Sequence, residues 1–248
     1  MNGKALPLAL LGVMALPVAT AQDWSQWGRD ATHRGVSESP GVRLQRVVAS
    51  VVVDPFVADM KRRYGYLPVH YPVTLVDGKT IVTVEKSGTF TGIPTRHTQE
   101  WSVSTFVRTS AGLRRMWSVA TDWKPAPHFG GTGGAILEQP YQCAIDGEAV
   151  WAPAAGGTML KVNRVSGRIS ARVNPFGAAV DPQIFAVGGP VVDANRNVYY
   201  NAIRLHADRP WAEDVQNAWL VRISADGAVS TVSYSVLLPN APKPSGLP

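Results

Sequence analysis

The most unusual stretch of this 248-residue chain is His128-Phe129-Gly130-Gly131-Thr132-Gly133-Gly134. Glycines let a backbone approach a ligand closely, and successive N–H groups can hold an anion. Asp122 and Trp123 lie just upstream, and Arg96, His97 and Gln139 are candidate neighbours. These eight positions form the candidate ligand set: His128, Gly130, Gly131, Asp122, Trp123, Arg96, His97 and Gln139. No phosphate-loop lysine follows the glycines, and no helix clearly starts there. Neither a P-loop nor a dinucleotide fingerprint fits. The plainer reading is an ordinary connection between structural repeats.

Other chemistry is sparse. The five histidines, His33, His70, His97, His128 and His206, form no H-x-x-x-H pair. His206-Ala207-Asp208 puts two polar groups on one face if extended, or is a polar loop ahead of Pro210. The lone cysteine, Cys143, excludes an intrachain disulfide and reads as a small buried apolar residue. There is no G-x-S-x-G and no nucleophile–His–acid order. The residues alone assign no catalytic group, metal or cofactor. Trp101, Trp117, Trp151 and Trp219 fit packing between sheets better than sugar stacking.

The elements that must position these residues are strands. A strand–turn–strand phrase occurs three times: Ser104 to Val119, Thr158 to Val173 and Ala218 to Val232. Each first strand carries a basic residue near its end (Arg108, Lys161, Arg222), and each turn carries a glycine (Gly112, Gly167, Gly227). Tight hairpins favour glycine because it takes positive φ without steric cost. A second phrase precedes each copy, at 73–83, 144–151 and 190–200, with Asp77, Asp146 and Asp193 leading its turn. Together they predict four strands per unit. Serial four-stranded units indicate a β-propeller, with a β-sandwich as the rival. Phe56 to Arg63 is the best helical candidate.

These residues resemble the pyrroloquinoline-quinone-type (PQQ-like) propeller repeat family. The Trp-rich opening Trp24-Ser25-Gln26-Trp27-Gly28 looks like that family's start, and 159–169, MLKVNRVSGRI, looks like its repeat core. The resemblance implies an all-β propeller of four-stranded antiparallel blades. With three clear repeats, it would be incomplete relative to the family's eight-bladed ring. It would be an incomplete gene product, an oligomer-completed ring, or a smaller closed one. The resemblance also brings PQQ with calcium as an implied cofactor. The adjacent-cysteine disulfide of such dehydrogenases is absent, and no calcium ligand set can be placed by motif.

The chain opens like a cleavable signal peptide: Lys4, an apolar run from Ala5 to Val18, and Ala19-Thr20-Ala21 as the cleavage site. That run is short of the ~20 residues that span a bilayer. The expected organisation is a signal peptide over 1–21, blades over 22–236 and a Pro-rich tail over 237–248. The net charge of +6 is scattered, its one run being Lys61-Arg62-Arg63. A scattered basic surface suits anionic lipid or polysaccharide better than nucleic acid. The expected function is a non-catalytic exported binding or scaffold module, periplasmic or extracellular. Its partner would be a protein, a glycan or an envelope component, with another chain completing the propeller as a further option. The alternative is a PQQ- or metal-dependent oxidoreductase, or a fragment of one.

Overall fold

The computed structural model describes residues 23–37, 41, 43, 45–69, 71–92, 97–126, 141–210 and 215–240. Twelve strands form three four-stranded sheets, each an antiparallel meander in chain order. The first blade contains β1 (Leu75–Asp77), β2 (Thr80–Gly88), β3 (Gln99–Thr109) and β4 (Gly112–Thr121). The second contains β5 (Ala144–Asp146), β6 (Ala149–Pro153), β7 (Met159–Asn163) and β8 (Ile169–Val173). The third contains β9 (Ile184–Val192), β10 (Val198–Arg204), β11 (Asn217–Ile223) and β12 (Val229–Ser233). Two short helices flank them, α1 (Val57–Tyr64) and α2 (Tyr234–Leu237).

Every strand–turn–strand phrase expected from the sequence is a hairpin, and α1 falls within one residue of the expected helix. Several strands run further than their apolar letters suggest. β3 begins at Gln99, before Ser104, because the polar run Gln99-Glu100-Trp101-Ser102 still pairs with Lys86 to Gly88 and Glu85 of β2. β9 contains Gly188-Gly189-Pro190, where the register with β10 shifts between Tyr199 and Asn201. Proline is tolerated there because β9 is the end strand of its sheet and the position is a bulge.

Side-chain alternation explains why the sheets stack. β6 is buried along its whole length. Val150 and Ala152 belong to one core, with Leu75, Val82, Trp101, Val103 and Trp117 of the first blade. Trp151 points the other way, joining Met159 in a second core with Ile184, Val198, Tyr200 and Val221 of the third blade. The middle blade is therefore covered on both faces, the arrangement of serial propeller blades. The molecule is all-β, an incomplete β-propeller.

Ion pairs reinforce both seams. Arg164 of the second blade pairs with Asp77 of the first. Arg196 of the third pairs with Asp146 of the second at 2.7 Å. Both acids are the turn-leading aspartates of the repeated phrase. Asp193, their counterpart in the third blade, instead holds its own turn through the N–H groups of Asn195 and Asn197 at 2.9 and 2.8 Å.

The N-terminal segment crosses β1, β5 and β9, the first strand of each sheet. Trp24 exchanges two backbone hydrogen bonds with Val76 of β1, at 2.7 and 2.9 Å. Ser25 accepts from Ile145 N–H of β5 at 2.7 Å. The Gln26 amide accepts from Val192 N–H of β9 at 2.7 Å and donates to its carbonyl at 3.2 Å. Consecutive residues thus reach successive blades. Strands β1, β5 and β9 are therefore the inner edges, and β4, β8 and β12 the outer ones. Gln142, just before β5, does the same to the first blade by clasping Val73 N–H and C=O at 2.7 and 3.2 Å.

Candidate binding face

Each blade has two different ends. The β1–β2 and β3–β4 hairpins of the first blade turn in two residues, 78–79 and 110–111, whereas its β2–β3 and β4–β5 connections take 89–98 and 122–143. The long connections leave from the end where β2 and β4 finish. The described candidate residues, His97, Asp122 and Trp123, lie at this end.

His128, Gly130, Gly131, Gln139 and Arg96 lie outside the described residues. The other three are placed. His97 is exposed, two residues before β3. Asp122 follows β4 and accepts from Arg172 at 2.7 Å and from Ala155 N–H at 3.1 Å. Arg172 also donates to Thr158 Oγ1 at 2.9 Å, so this network ties the exit of the first blade to the second. Trp123 is buried. Its ring stacks on Tyr141 at 4.7 Å and meets Trp101 edge-on at 5.0 Å. The Tyr141 hydroxyl donates to the Pro153 carbonyl at 3.0 Å. Burial holds that phenol's pKa well above its ordinary value, so it stays neutral.

Beneath these rings lies a buried ion pair, Lys86 Nζ to Asp54 at 3.3 Å, whose side chains are only 7% and 2% exposed. Asp54 also accepts from Tyr71 OH at 3.2 Å and from Phe56 N–H at 2.9 Å. Lys86 Nζ sits 5.9 Å from the Tyr71 ring centre and 5.8 Å from that of Trp101. Such distances bring the cation within reach of both ring faces. Lys124 Nζ lies 5.6 Å from the Trp101 ring and donates to the Gln99 carbonyl. A cavity of about 10 Å³ opens among Val53, Asp54, Tyr71, Lys86, Trp101 and Tyr141. That is about the room one water needs. Trp101 Nε1 and Gln99 Oε1 are buried with no hydrogen-bond partner among the described residues. Buried polar atoms of this kind mark places where a partner is due.

The lysine, its acid and the aromatic box were not singled out from the sequence. The signal was present: Val82, Val84 and Lys86 share one face of β2 by strand alternation, and a cation on a core face demands a buried partner. Asp54 stands 32 residues earlier in an irregular segment, so its pairing was not legible.

Among the described residues no group of three or more His, Cys, Asp or Glu side chains could hold a metal ion. Asp54 and Asp122 are each engaged by basic partners. Cys143 is buried, and burial pushes its thiol pKa up to about 12. It is a packed thiol and not a thiolate nucleophile.

A chain of serial four-stranded blades with a loop-built face defines a protein of the propeller class. No protein-family model matches it, and no curated protein matches it either. Among solved structures it is similar to a europium-containing methanol dehydrogenase, with a TM-score of 0.41 and 12% identity, over 64% of this chain and 24% of that one. It is also similar to BamB from Moraxella catarrhalis, with a TM-score of 0.25 and 12% identity, over 68% of this chain and 47% of that one. The chain thus spans about a quarter of the first and about half of the second. The propeller assignment itself rests on the strand order and the two shared cores.

Proposed function

We propose that this protein is a non-catalytic exported propeller that binds a protein, glycan or other envelope component through the loop end of its first two blades. One observation carries the reading. Both acids in the buried network and at the blade exit there are held by cations: Asp54 by Lys86, with Tyr71, and Asp122 by Arg172, with the Ala155 N–H; exposed Glu100 meets only the Ser87 hydroxyl, at 3.4 Å. A general base must be able to take a proton from substrate, and a carboxylate locked to a cation is poorly placed to do so. The same groups make a rigid floor for a binding surface. Export is supported by the signal-like opening of the chain.

The test is direct. The purified chain, supplied with pyrroloquinoline quinone and calcium, is expected to reduce no electron-accepting dye with simple alcohols. Dye reduction that disappears with Lys86→Met would sink the non-catalytic reading. Export is checked separately by cell fractionation and N-terminal sequencing, with Gln22 as the expected new terminus.

A further inference from the structure

A second concave feature lies at the opposite end of the first blade, away from the loop face. The β3–β4 turn, the start of β2 and the segment before Val53 enclose a groove of about 580 Å³. Val47, Val48, Ile81 and Leu113 give it an apolar side, and Arg46, Arg108, Thr109 and Ser110 a polar one. No carboxylate among the described residues pairs with either arginine. Arg34, Arg62, Arg115, Arg164, Arg172, Arg196 and Arg204 have acid partners, while Arg43, Arg114 and Arg168, like these two, pair with no acid among the described residues; what sets Arg46 and Arg108 apart is that both line one partly apolar groove. Val47 and Val48 are 84% and 60% exposed. Largely exposed valines beside hydrated cations leave apolar area that a docked partner could remove from water.

We propose that this corner docks on an anionic phospholipid surface. The arginines take the headgroup phosphate, and the groove and its two valines take the first methylenes below it. Three points favour lipid. A guanidinium matches a phosphate bidentately and holds its charge at any accessible pH. Cations flanking exposed apolar side chains are the composition of an interfacial anchor. The turn's own backbone is closed on itself, with Thr109 paired to Gly112 and Thr109 Oγ1 donating to the Gly112 carbonyl at 3.1 Å. That side of the groove presents the Arg108 guanidinium with the Ala111 and Leu113 methyl groups. The net charge of +6 adds long-range attraction of the same sign. The inference is independent of the loop-face reading and uses none of its residues.

The experiment is co-sedimentation of the purified chain with phosphatidylcholine vesicles, with and without phosphatidylglycerol, at several salt concentrations. Binding is expected only with phosphatidylglycerol and should weaken as salt rises. Arg46→Ser and Arg108→Ser should each weaken it about fivefold. Val47→Ser/Val48→Ser should weaken it further, with the melting temperature unchanged in every case. A control pair, Lys61→Ser/Arg168→Ser, removes as much charge from exposed sites elsewhere and should cost much less than the two arginine changes together. Equal binding to neutral vesicles would overturn the proposal, as would a loss in the control equal to that at the groove. Binding of oligoglutamate at Arg46 and Arg108 without any vesicle binding would instead assign the groove to an acidic protein segment.

Discussion

Gly167 shows how much one side chain's absence can decide. Its φ is +73°, and a Cβ built there would stand 2.8 Å from the Trp117 ring. The Trp117 indole in turn donates to the Arg164 carbonyl at 2.8 Å. The glycine thus sets the hairpin of the second blade and the contact that seats it on the first. Gly167→Ala is expected to cost ~2 kcal/mol, from the positive φ and from overpacking together. Thermal denaturation should show the loss, and Gly227→Ala makes the comparison, because it has positive φ but open space around it. Cys143 gives a second test at this scale. With its thiol held protonated up to about pH 12, it should resist alkylation in the native state at neutral pH and react only after denaturation. Rapid native labelling would mean that the first core opens. The turn glycines and the buried cysteine were legible in the sequence because each follows from one residue's own chemistry. The Asp77 and Asp146 seams were only half legible. Turn-leading aspartate was expected at both, but its arginine partners come from other blades, 87 and 50 residues away.

Among the elements, the segment from Asp23 to Gln26 carries an unusual share of the architecture. It satisfies inner-edge groups of all three blades. Gln26 is 4% exposed, and its amide answers both main-chain groups of Val192. Gln26→Ala leaves the part-buried N–H and C=O of Val192 without this partner, at up to about 1–3 kcal/mol for each group. The expected result is a lower melting temperature and faster proteolysis near the N-terminus, and unchanged values for both would overturn this role. Hairpins were easy to anticipate, since strand alternation and turn residues are local signals. The long-range clasps by Gln26 and Gln142 were not, because a buried glutamine looks like any other glutamine until its partner strand is known. The same holds at the candidate face. Asp122 and Trp123 were picked out as loop residues, and they hold blade to blade and ring to ring. Lys86, Asp54 and Tyr71 assemble from separate segments and were invisible as a set.

For the whole molecule, the outer strand edges matter most. β4 carries Arg114 and Arg115, and β8 carries Arg172. Charge on an exposed edge discourages another chain from adding to it. β12, Val-Ser-Thr-Val-Ser, has no charged residue, and exposed Val236, Leu237 and Leu238 follow it. Self-association is therefore expected to run through the third blade. Light scattering on a sizing column should show oligomers growing with concentration, and Thr231→Lys should shift the sample toward monomer. A wild-type chain that stays monomeric at all concentrations would refute this. No helix among the described residues is long and apolar enough to cross a membrane, so any membrane contact by this part of the chain would be a surface one unless strands were to cross.

The Gln26–Val192 clasp spans 166 residues of chain. The Trp24–Gln26 segment is synthesised before all three blades, so Gln26 can be seated only after the third blade has been made and folded. Loops of that length close slowly, and contacts of such separation form late. Until then Gln26 has no strand to clasp, although Trp24 and Ser25 can already meet β1 and β5. The last step in reaching the native state should therefore be the seating of Gln26 on the third blade, and a chaperone that shielded the β9 edge would act on this protein in that window.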